Sequence, residues 1–354
     1  MTDRRIQAFI KLGEILKDFC ENRESPYTLK WGSHLNSAVE TANSYNPWFT
    51  PENVKLALQS IAASLTPEAL HTWFSPYRDE IINLSQQKRV GVIMAGNIPA
   101  VGFFDFMYVL ISGHKIVAKL SSDDKILLPA LAEILVSIEP ILKEQNSFLE
   151  GKLDKIDAVI ATGSNNSYRY FDYYFGKYPH ILRKNRNSVA VIPTDGFLPQ
   201  HGIALAKDIF HYFGLGCRNV SKIFIPSGFD ITSLFPYWEP FVEVINHNKY
   251  KNNYDYYKSI FLVNGDPHFD NGFMLIKKDK ENYGTPVSVL YYDEYQNVDE
   301  LSSNLLNAKD RIQCIVSLPG FIGESIPFGT TQSPGLNDYA DGVDVMSFLI
   351  NIGM

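Results

Sequence analysis

The 354-residue chain is poor in cysteine: it has three, Cys20, Cys217 and Cys314, widely spaced and without a C-x-x-C pair. An odd, scattered set excludes a disulfide framework, argues against a structural zinc site, and fits a reducing compartment, so a cytoplasmic location is expected. Positive charge is not in surplus either. Lys and Arg number 32 against 39 Asp and Glu, a formal net charge of -7, so no global attraction draws the molecule to nucleic acid or anionic lipid. No apolar run is long enough to span a bilayer. The most apolar stretch, residues 98–113, is too short and contains Asp105, and the N-terminus mixes Asp3, Arg4, Arg5 and Glu14 into its apolar pattern, unlike a signal peptide. No Gly/Ser- or Pro-rich linker interrupts the chain, so at this length two closely packed lobes are expected. The phosphate-binding G-x-x-x-x-G-K-[ST], the zinc-binding H-E-x-x-H, the serine-hydrolase G-x-S-x-G and the dinucleotide-binding G-x-G-x-x-G are all missing. The histidines show no metal-ligand spacing, so no metal is expected, and residues such as His201 and His211 read as helix surface.

What is present is the composition of a large core, 45% hydrophobic and 13% aromatic. Up to about residue 85 the apolar spacing is helical, with Thr50-Pro51-Glu52 and Thr66-Pro67-Glu68 reading as helix starts. Residues 89–94 then form a β-branched run, 99–112 a helix-length apolar stretch, and 115–119 a second strand, which is a βαβ unit. A helix over 127–137, a strand at 158–161, a helix after Gly163-Ser164 and a strand at 188–192 continue the alternation. A helix from Pro199 to Phe213 and a strand at 222–225 follow. The pattern predicts an α/β protein with doubly wound, mostly parallel sheets. Turn residues at 194–196 suggest a boundary there: 1–195 as a helical section plus a dinucleotide-binding domain, 196–325 as a catalytic domain, and 326–354 as a segment returning to the cofactor side. Residues 249–257, dense in Tyr, Asn and Lys without a clean period, read as a solvated loop or irregular helix. The aromatic stretch 168–175 reads as packing and helix surface, with the lining of an acyl channel as the alternative.

Three places carry chemistry. Cys217 follows Phe213-Gly214-Leu215-Gly216, between a helix and a strand, so its thiol sits at a glycine-flanked bend. There a thiol pKa of ~8.5 can be lowered by backbone N–H groups or a cation to give a nucleophilic thiolate. An inert thiol explains the same residues equally well. Asn97, in Ala95-Gly96-Asn97-Ile98-Pro99, lies at the carboxyl end of the 89–94 strand, where open α/β sheets place ligands. Its amide can stabilise an oxyanion, or simply form a turn. Gly163-Ser164 ends a strand and opens a helix, a geometry suited to phosphate.

In order and spacing these places resemble the aldehyde dehydrogenase superfamily over residues 88–350. Gly96-Asn97-Ile98-Pro99 is similar to the P-W-N-F-P strand end, whose Asn holds the thiohemiacetal oxyanion. Val117-Ala118-Lys119-Leu120-Ser121 is similar to the K-P-S segment, whose Lys meets the adenosine ribose, and Ala161-Thr162-Gly163-Ser164 to F-T-G-S, which faces the pyrophosphate. Residues 213–217 resemble the G-Q-x-C nucleophile loop. Residues 281–287, beginning at Glu281, resemble E-I-F-G-P-V with one extra residue, whose Glu contacts the nicotinamide ribose. Residues 326–333 resemble the late P-F-G-G-x-K-x-S-G segment.

The departures narrow the resemblance. The chain is shorter than the usual dehydrogenase, with little space before Val90 for a long oligomerisation arm. Arg183 stands where the family's E-L-G-G-K motif has its general-base Glu. Without that base the thioacyl-enzyme should resist water and await hydride or a thiol. Such a chain resembles the acyl-CoA reductase branch related to the fatty acid reductase of bacterial luminescence.

The resemblance implies a two-lobed aldehyde-dehydrogenase-like fold and NADPH- or NADH-dependent reduction of an acyl thioester, acyl-CoA foremost, to an aldehyde through Cys217. Ser122, three residues after Lys119, stands where NAD-preferring relatives often carry an acid. A hydroxyl can donate to a 2′-phosphate, which points to NADPH, although Asp123 is adjacent. An acylating aldehyde dehydrogenase and an acyl-phosphate reductase are rivals of the same class. A cofactor-free cysteine acyltransferase or thioesterase and a silent binding protein are rivals of another. The expected partner is the small-molecule acyl thioester, with room for a homodimer and for an acyl-activating enzyme or carrier protein. No nucleic acid, membrane span or metal is expected.

Overall fold

A computed structural model describes residues 2–163 and 165–354, and the chain divides into two compact units, one running to Asn185 and taking in Pro334–Met354, the other Arg186–Ser333.

The first unit opens with helices whose ends are written in the sequence. Ser25, Thr50 and Thr66 each precede a proline, and their hydroxyls accept from Thr28 N, Asn53 N and Ala69 N at the starts of Pro26–Tyr45, Pro51–Ser64 and Pro67–Phe74. The initial helix, Thr2–Cys20, buries Ile6, Phe9, Leu12, Leu16 and Phe19 at helical spacing. These helices pack on one another and on helices Phe103–Ser112 and Leu127–Ile138, and the unit's parallel sheet is made of β1 (Arg89–Ile93), β2 (Lys115–Lys119), β3 (Asn146–Leu149), β4 (Ala158–Thr162) and β5 (His180–Arg183), in the order β3-β2-β1-β4-β5. The central strands β1, β2 and β4 carry runs of Val, Ile and Ala buried on both faces, as parallel strands between helical layers must be, while the edge strands β3 and β5 are partly exposed. Order reverses between β1 and β4, which is a topological switch point.

The second unit holds β6 (Asn187–Val191), β7 (Val220–Pro226), β8 (His268–Asp270), β9 (Leu275–Lys278), β10 (Val289–Tyr295), β11 (Ile312–Val316) and β12 (Ser325–Ile326). Their order is β12-β11-β6-β7-β10-β9-β8, parallel throughout except that β8 pairs antiparallel with β9. Alternation puts Ala190, Ile223 and Ile225 against helix Pro199–Phe210, and Val189, Val191 and Phe224 against helix Val298–Asn307. The doubly wound α/β expectation therefore holds.

Some local expectations do not. The division falls before β6 and not at 195/196, because β6 pairs with β7 and β11 and so belongs to the second sheet. The returning segment begins at Pro334, later than 326. The helix from Pro199 stops at Phe210, since Tyr212 and Phe213 take left-handed conformations. Residues 249–257 lie in a regular helix, Asn248–Asn264, which buries only Tyr250, Tyr254 and Phe261 and is closed by the left-handed Gly265. Three packed aromatics among many exposed polar residues give too faint a period to read. Tyr170, Tyr173 and Tyr174 are largely exposed on helix Asn165–Phe175, so that stretch is helix surface. Among the described residues no helix is long and apolar enough to cross a membrane.

Candidate active site

The candidate residues fall into two groups, one on each unit. In the first, parallel pairing brings the carboxyl ends of four strands to one edge: Ile93 is opposite Lys119 and Ala161, and Thr162 is opposite Arg183. Met94 N donates to Lys119 O, which starts the β1 loop beside the end of β2. Lys119 ends β2 half-buried, while Asn97 and Ser122 are exposed in the loops after β1 and β2. Gly163 follows β4, and Ser164 lies outside the described residues.

Two glycines show how closely these loops approach. A Cβ on Gly96 would stand 2.5 Å from Ser121 Oγ, and one on Gly163 would stand 2.8 Å from the Phe171 ring. Asp124, a residue the sequence reading passed over, accepts from Ala100 N at 2.7 Å and ties the Asn97 loop, with Ala100 left-handed, to the loop after β2. Burial pushes its carboxyl up to about 6 against these bonds. The edge thus lies at the carboxyl end of a parallel sheet beside the switch point, where open α/β sheets place ligands, with the half-buried cation of Lys119 at its rim.

Arg183 ends β5 but is already engaged. Its guanidinium is buried and donates twice to Asp105, at 2.6 and 3.0 Å, and to Thr162 Oγ1 at 3.4 Å. Burial pulls its pKa down, and Asp105 more than restores it. Asp105 sits in the first turn of helix Phe103–Ser112, so the pair joins the helix after β1 to the end of β5.

In the second unit, three segments converge at the amino ends of β6 and β7. The Cys217 loop leaves helix Pro199–Phe210 through Tyr212, Phe213 and Gly214, all left-handed with φ of 53°, 57° and 75°. Two aromatic residues in that region store strain, on the order of 1 to 3 kcal/mol each. Packing holds them: Tyr212 is buried, and the Phe213 ring lies 4.6 Å from His247 and 6.0 Å from Tyr250. Cys217 is half-buried at the bend. Buried Asn219 ties the bend down, accepting from Gly216 N at 2.8 Å and donating to Asp208 O and His211 O at 3.0 and 2.9 Å. Ser188 Oγ donates to Cys217 O at 3.0 Å and lies 3.0 Å from Cys314 Sγ.

The second segment runs from the end of β9 back across the sheet. Lys222 Nζ donates to Lys280 O, Arg311 to Glu281 O, and Ser221 Oγ to Tyr283 O. Gly284 reaches Asn187, where a Cβ would meet the side-chain oxygen at 2.9 Å. Glu281 is exposed in this segment, three residues before Gly284.

The third segment contains Phe328, Gly329 and Thr331. Asp208 accepts from Gly329 N, Thr331 N and Thr331 Oγ1 at 2.6, 3.1 and 2.8 Å, and Thr331 O accepts from Arg218 Nε at 2.6 Å. Asp208 was not singled out in the sequence. The available signal was an acid in the buried stripe Leu205, Ala206, Asp208, Ile209.

The other expectations sort simply. Cys20 is buried, and desolvation pushes its thiol up to about 11, which disfavours the thiolate. His211 is held down to about 4 by burial and by Lys207. Among the described residues no group of three or more His, Cys, Asp and Glu is placed to hold a metal ion.

Residues 14–233 match the family described as acyl-CoA reductase (LuxC). The chain belongs to that family. No curated protein matches it. Among solved structures this acyl-CoA reductase family member is similar to aldehyde dehydrogenase 21 from Physcomitrella patens, solved with the product succinate, at 11% identity and a TM-score of 0.62, covering 99% of this chain and 87% of that one. It is also similar to an aldehyde dehydrogenase from Mycobacterium tuberculosis complexed with NAD+, at 15% identity and a TM-score of 0.57 over 87% of this chain and 72% of that one. KauB from Pseudomonas aeruginosa gives 14% and 0.60 over 90% and 72%. The fold is that of the aldehyde dehydrogenases, and the family makes the chain an oxidoreductase of aldehyde-level chemistry.

Proposed function

We propose that the protein reduces an acyl thioester, acyl-CoA foremost, to the aldehyde through a thioacyl-enzyme on Cys217. The observation that carries this reading is the nucleophile bend, where Asn219, Ser188 and the left-handed turn at 212–214 fix Cys217 beside glycine backbone. The Cys217 thiolate attacks the carbonyl carbon, forming the new C–S bond. The oxyanion accepts from the Cys217 backbone N–H and, in the role the resemblance gives it, from the Asn97 amide. Its collapse expels CoA as a thiolate, which takes up a proton.

NADPH, or NADH, is the proposed cofactor, with Lys119, Ser122, Gly163, Ser164 and Glu281 as the residues that hold it; when bound it supplies the hydride. The NAD+ complex of the Mycobacterium tuberculosis relative supports a nicotinamide. Arg183, held by Asp105, stays protonated and cannot take a proton from water, which favours a persistent acyl-enzyme.

Incubation with acyl-CoA alone should add one acyl mass to the intact protein, and Cys217→Ala should abolish it. A Cys217→Ala protein acylated to full extent overturns the assignment. Asn97→Ala should slow acylation on the order of 10² to 10³-fold, the usual loss for one oxyanion donor. Turnover of thioester without nicotinamide would favour an acyltransferase instead.

A further inference from the structure

We infer that Asp208 is a positioning residue for the reaction, holding Cys217 in register through Thr331 and Arg218; this rests on the reading of Cys217 as nucleophile. Asp208 is 1% exposed and Thr331 0%. A carboxylate so placed loses its water shell, a cost that neutral donors only partly offset. Its side-chain bonds come from neutral groups, Gly329 N, Thr331 N and Thr331 Oγ1, and the attraction of the Arg218 cation is added through space, yet burial still outweighs them all, so it is poorly explained as a device for stability alone. It is well explained by what the bonds connect.

The Thr331 carbonyl, fixed by the bonds its own N–H and hydroxyl make to Asp208, receives Arg218 Nε at 2.6 Å, and Arg218 directly follows Cys217. On the other side of Cys217, Gly216 N is held by Asn219, whose amide donates to the backbone carbonyls of Asp208 and His211. Both neighbours of the nucleophile are thus anchored to the end of one helix, Pro199–Phe210. The Asn219 anchor uses only backbone carbonyls of that helix end. The Arg218 anchor depends on the Asp208 side chain, so the Asp208 carboxylate can be tested separately from the fold of the helix.

The test uses the full chain and acylation by acyl-CoA, followed by intact mass. Asp208→Asn keeps the shape but turns an amide N–H₂ toward groups that are themselves donors. The rate constant of acylation at saturating acyl-CoA should fall on the order of 10 to 100-fold, the loss expected from a small misplacement of a reacting group. The final extent of acylation, the half-saturating acyl-CoA concentration and NADPH affinity should be unchanged. A merely structural role would lower the extent through loss of folded protein and leave the rate constant alone.

Thr331→Val should give a smaller slowing, and the double variant should be no slower than Asp208→Asn, because the two act through one contact. A wild-type rate constant in folded Asp208→Asn, or losses that multiply in the double variant, overturns the inference. If Asp208→Asn does not fold, Thr331→Val decides: slowing at full extent supports the route and a wild-type rate overturns it. If the unaltered protein gains no acyl mass, the functional reading fails separately. The alkylation rate of Cys217 by iodoacetamide then tests positioning, and a rate identical in wild type and variants overturns it.

Discussion

A buried Arg paired with a half-buried Asp is hard to change one residue at a time. Arg183→Glu would set a second carboxylate against Asp105, and breaking such a pair costs about 3 to 5 kcal/mol. Chemical denaturation should show that loss, and the charge-reversed double variant, Asp105→Arg with Arg183→Glu, should recover part of it. An Arg183→Glu protein as stable as wild type would mean that the pair at 2.6 Å contributes little. Two other buried acids make a different prediction. Burial pushes Asp124 and Asp208 up to about 6 from an ordinary 3.8. As pH falls through 6 they take up protons in the folded state before the unfolded chain would, so they add stability on acidification. Buried His114 and His211, the latter lowered to about 4, do the reverse below 6.5, where the unfolded chain protonates first. The two effects oppose, so the melting temperature should change little between pH 6.5 and 5, while acylation falls as the carboxylates holding the Asn97 and Cys217 loops lose acceptor capacity. A parallel drop of both would assign the acid limb to unfolding. At this scale the placement of Asn97 after β1 and of Cys217 at a bend before β7 was legible, because a strand end and flanking glycines mark them locally. Asp124 and Asp208 were not, because Asp208's partners, Gly329 and Thr331, lie far along the chain, and Asp124's partner Ala100 sits across a βαβ connection.

Among the elements, the segment from Asp279 to Gly284 shows how a strand end is carried to a site. Lys222 is fully buried, with Nζ 5.0 and 5.1 Å from the Phe224 and Tyr283 rings and one bond to Lys280 O. Burial lowers its pKa, offset in part by Asp293 and Asp279. Lys222→Met fills similar volume without the desolvated charge, so stability should hold or rise. One anchor of the Glu281 segment is lost while those from Arg311 and Ser221 remain, and the dissociation constant for NADPH should rise about tenfold, taking ~1.4 kcal/mol for that one bond. Fluorescence titration and thermal melts on one preparation read both, and unchanged affinity would release Lys222 from this role. The fourteen-residue helix Pro51–Ser64, with its helical period, and β1, an apolar β-branched run, were readable in the sequence. The four-residue strands β3, β5 and β9 were not, since so few residues show no alternation, and within Asn248–Asn264 the stretch 249–257 was read only as a loop or irregular helix because its polar faces outweigh one aromatic stripe.

For the molecule as a whole, the alternation of strand and helix was enough to give an α/β protein, but not the point at which the chain changes sheets. That depends on pairing, and Asn187 chooses Ile312 as its neighbour from across the second unit. The return of the chain after Pro334 to the first unit is likewise a tertiary fact. There Tyr339 receives Trp73 Nε1 at 2.8 Å and meets Tyr77 OH at 3.0 Å, Tyr77 donates to Asp344, Tyr108 OH donates to Leu336 O, and His114 Nε2 lies 2.8 Å from Leu349 O. Helix Val345–Gly353 packs with Phe103–Ser112 and buries Val345, Met346, Leu349 and Ile350. Tyr339→Phe leaves the Trp73 donor without its oxygen, a cost of about 1 to 3 kcal/mol. Ending the chain at Ser333 removes the whole arrangement. Four large apolar side chains at ~1.5 to 3 kcal/mol each sum to about 6 to 12 kcal/mol, as much as the ~5 to 15 kcal/mol that usually stabilises a domain. The truncated chain should therefore lose the cooperative melt of its first unit and with it NADPH binding, whereas Tyr339→Phe should keep both at a lower melting temperature. A truncated protein that still binds NADPH with wild-type affinity would show that residues 334–354 are dispensable to the first unit, and that the burial they provide is replaced by other parts of the chain.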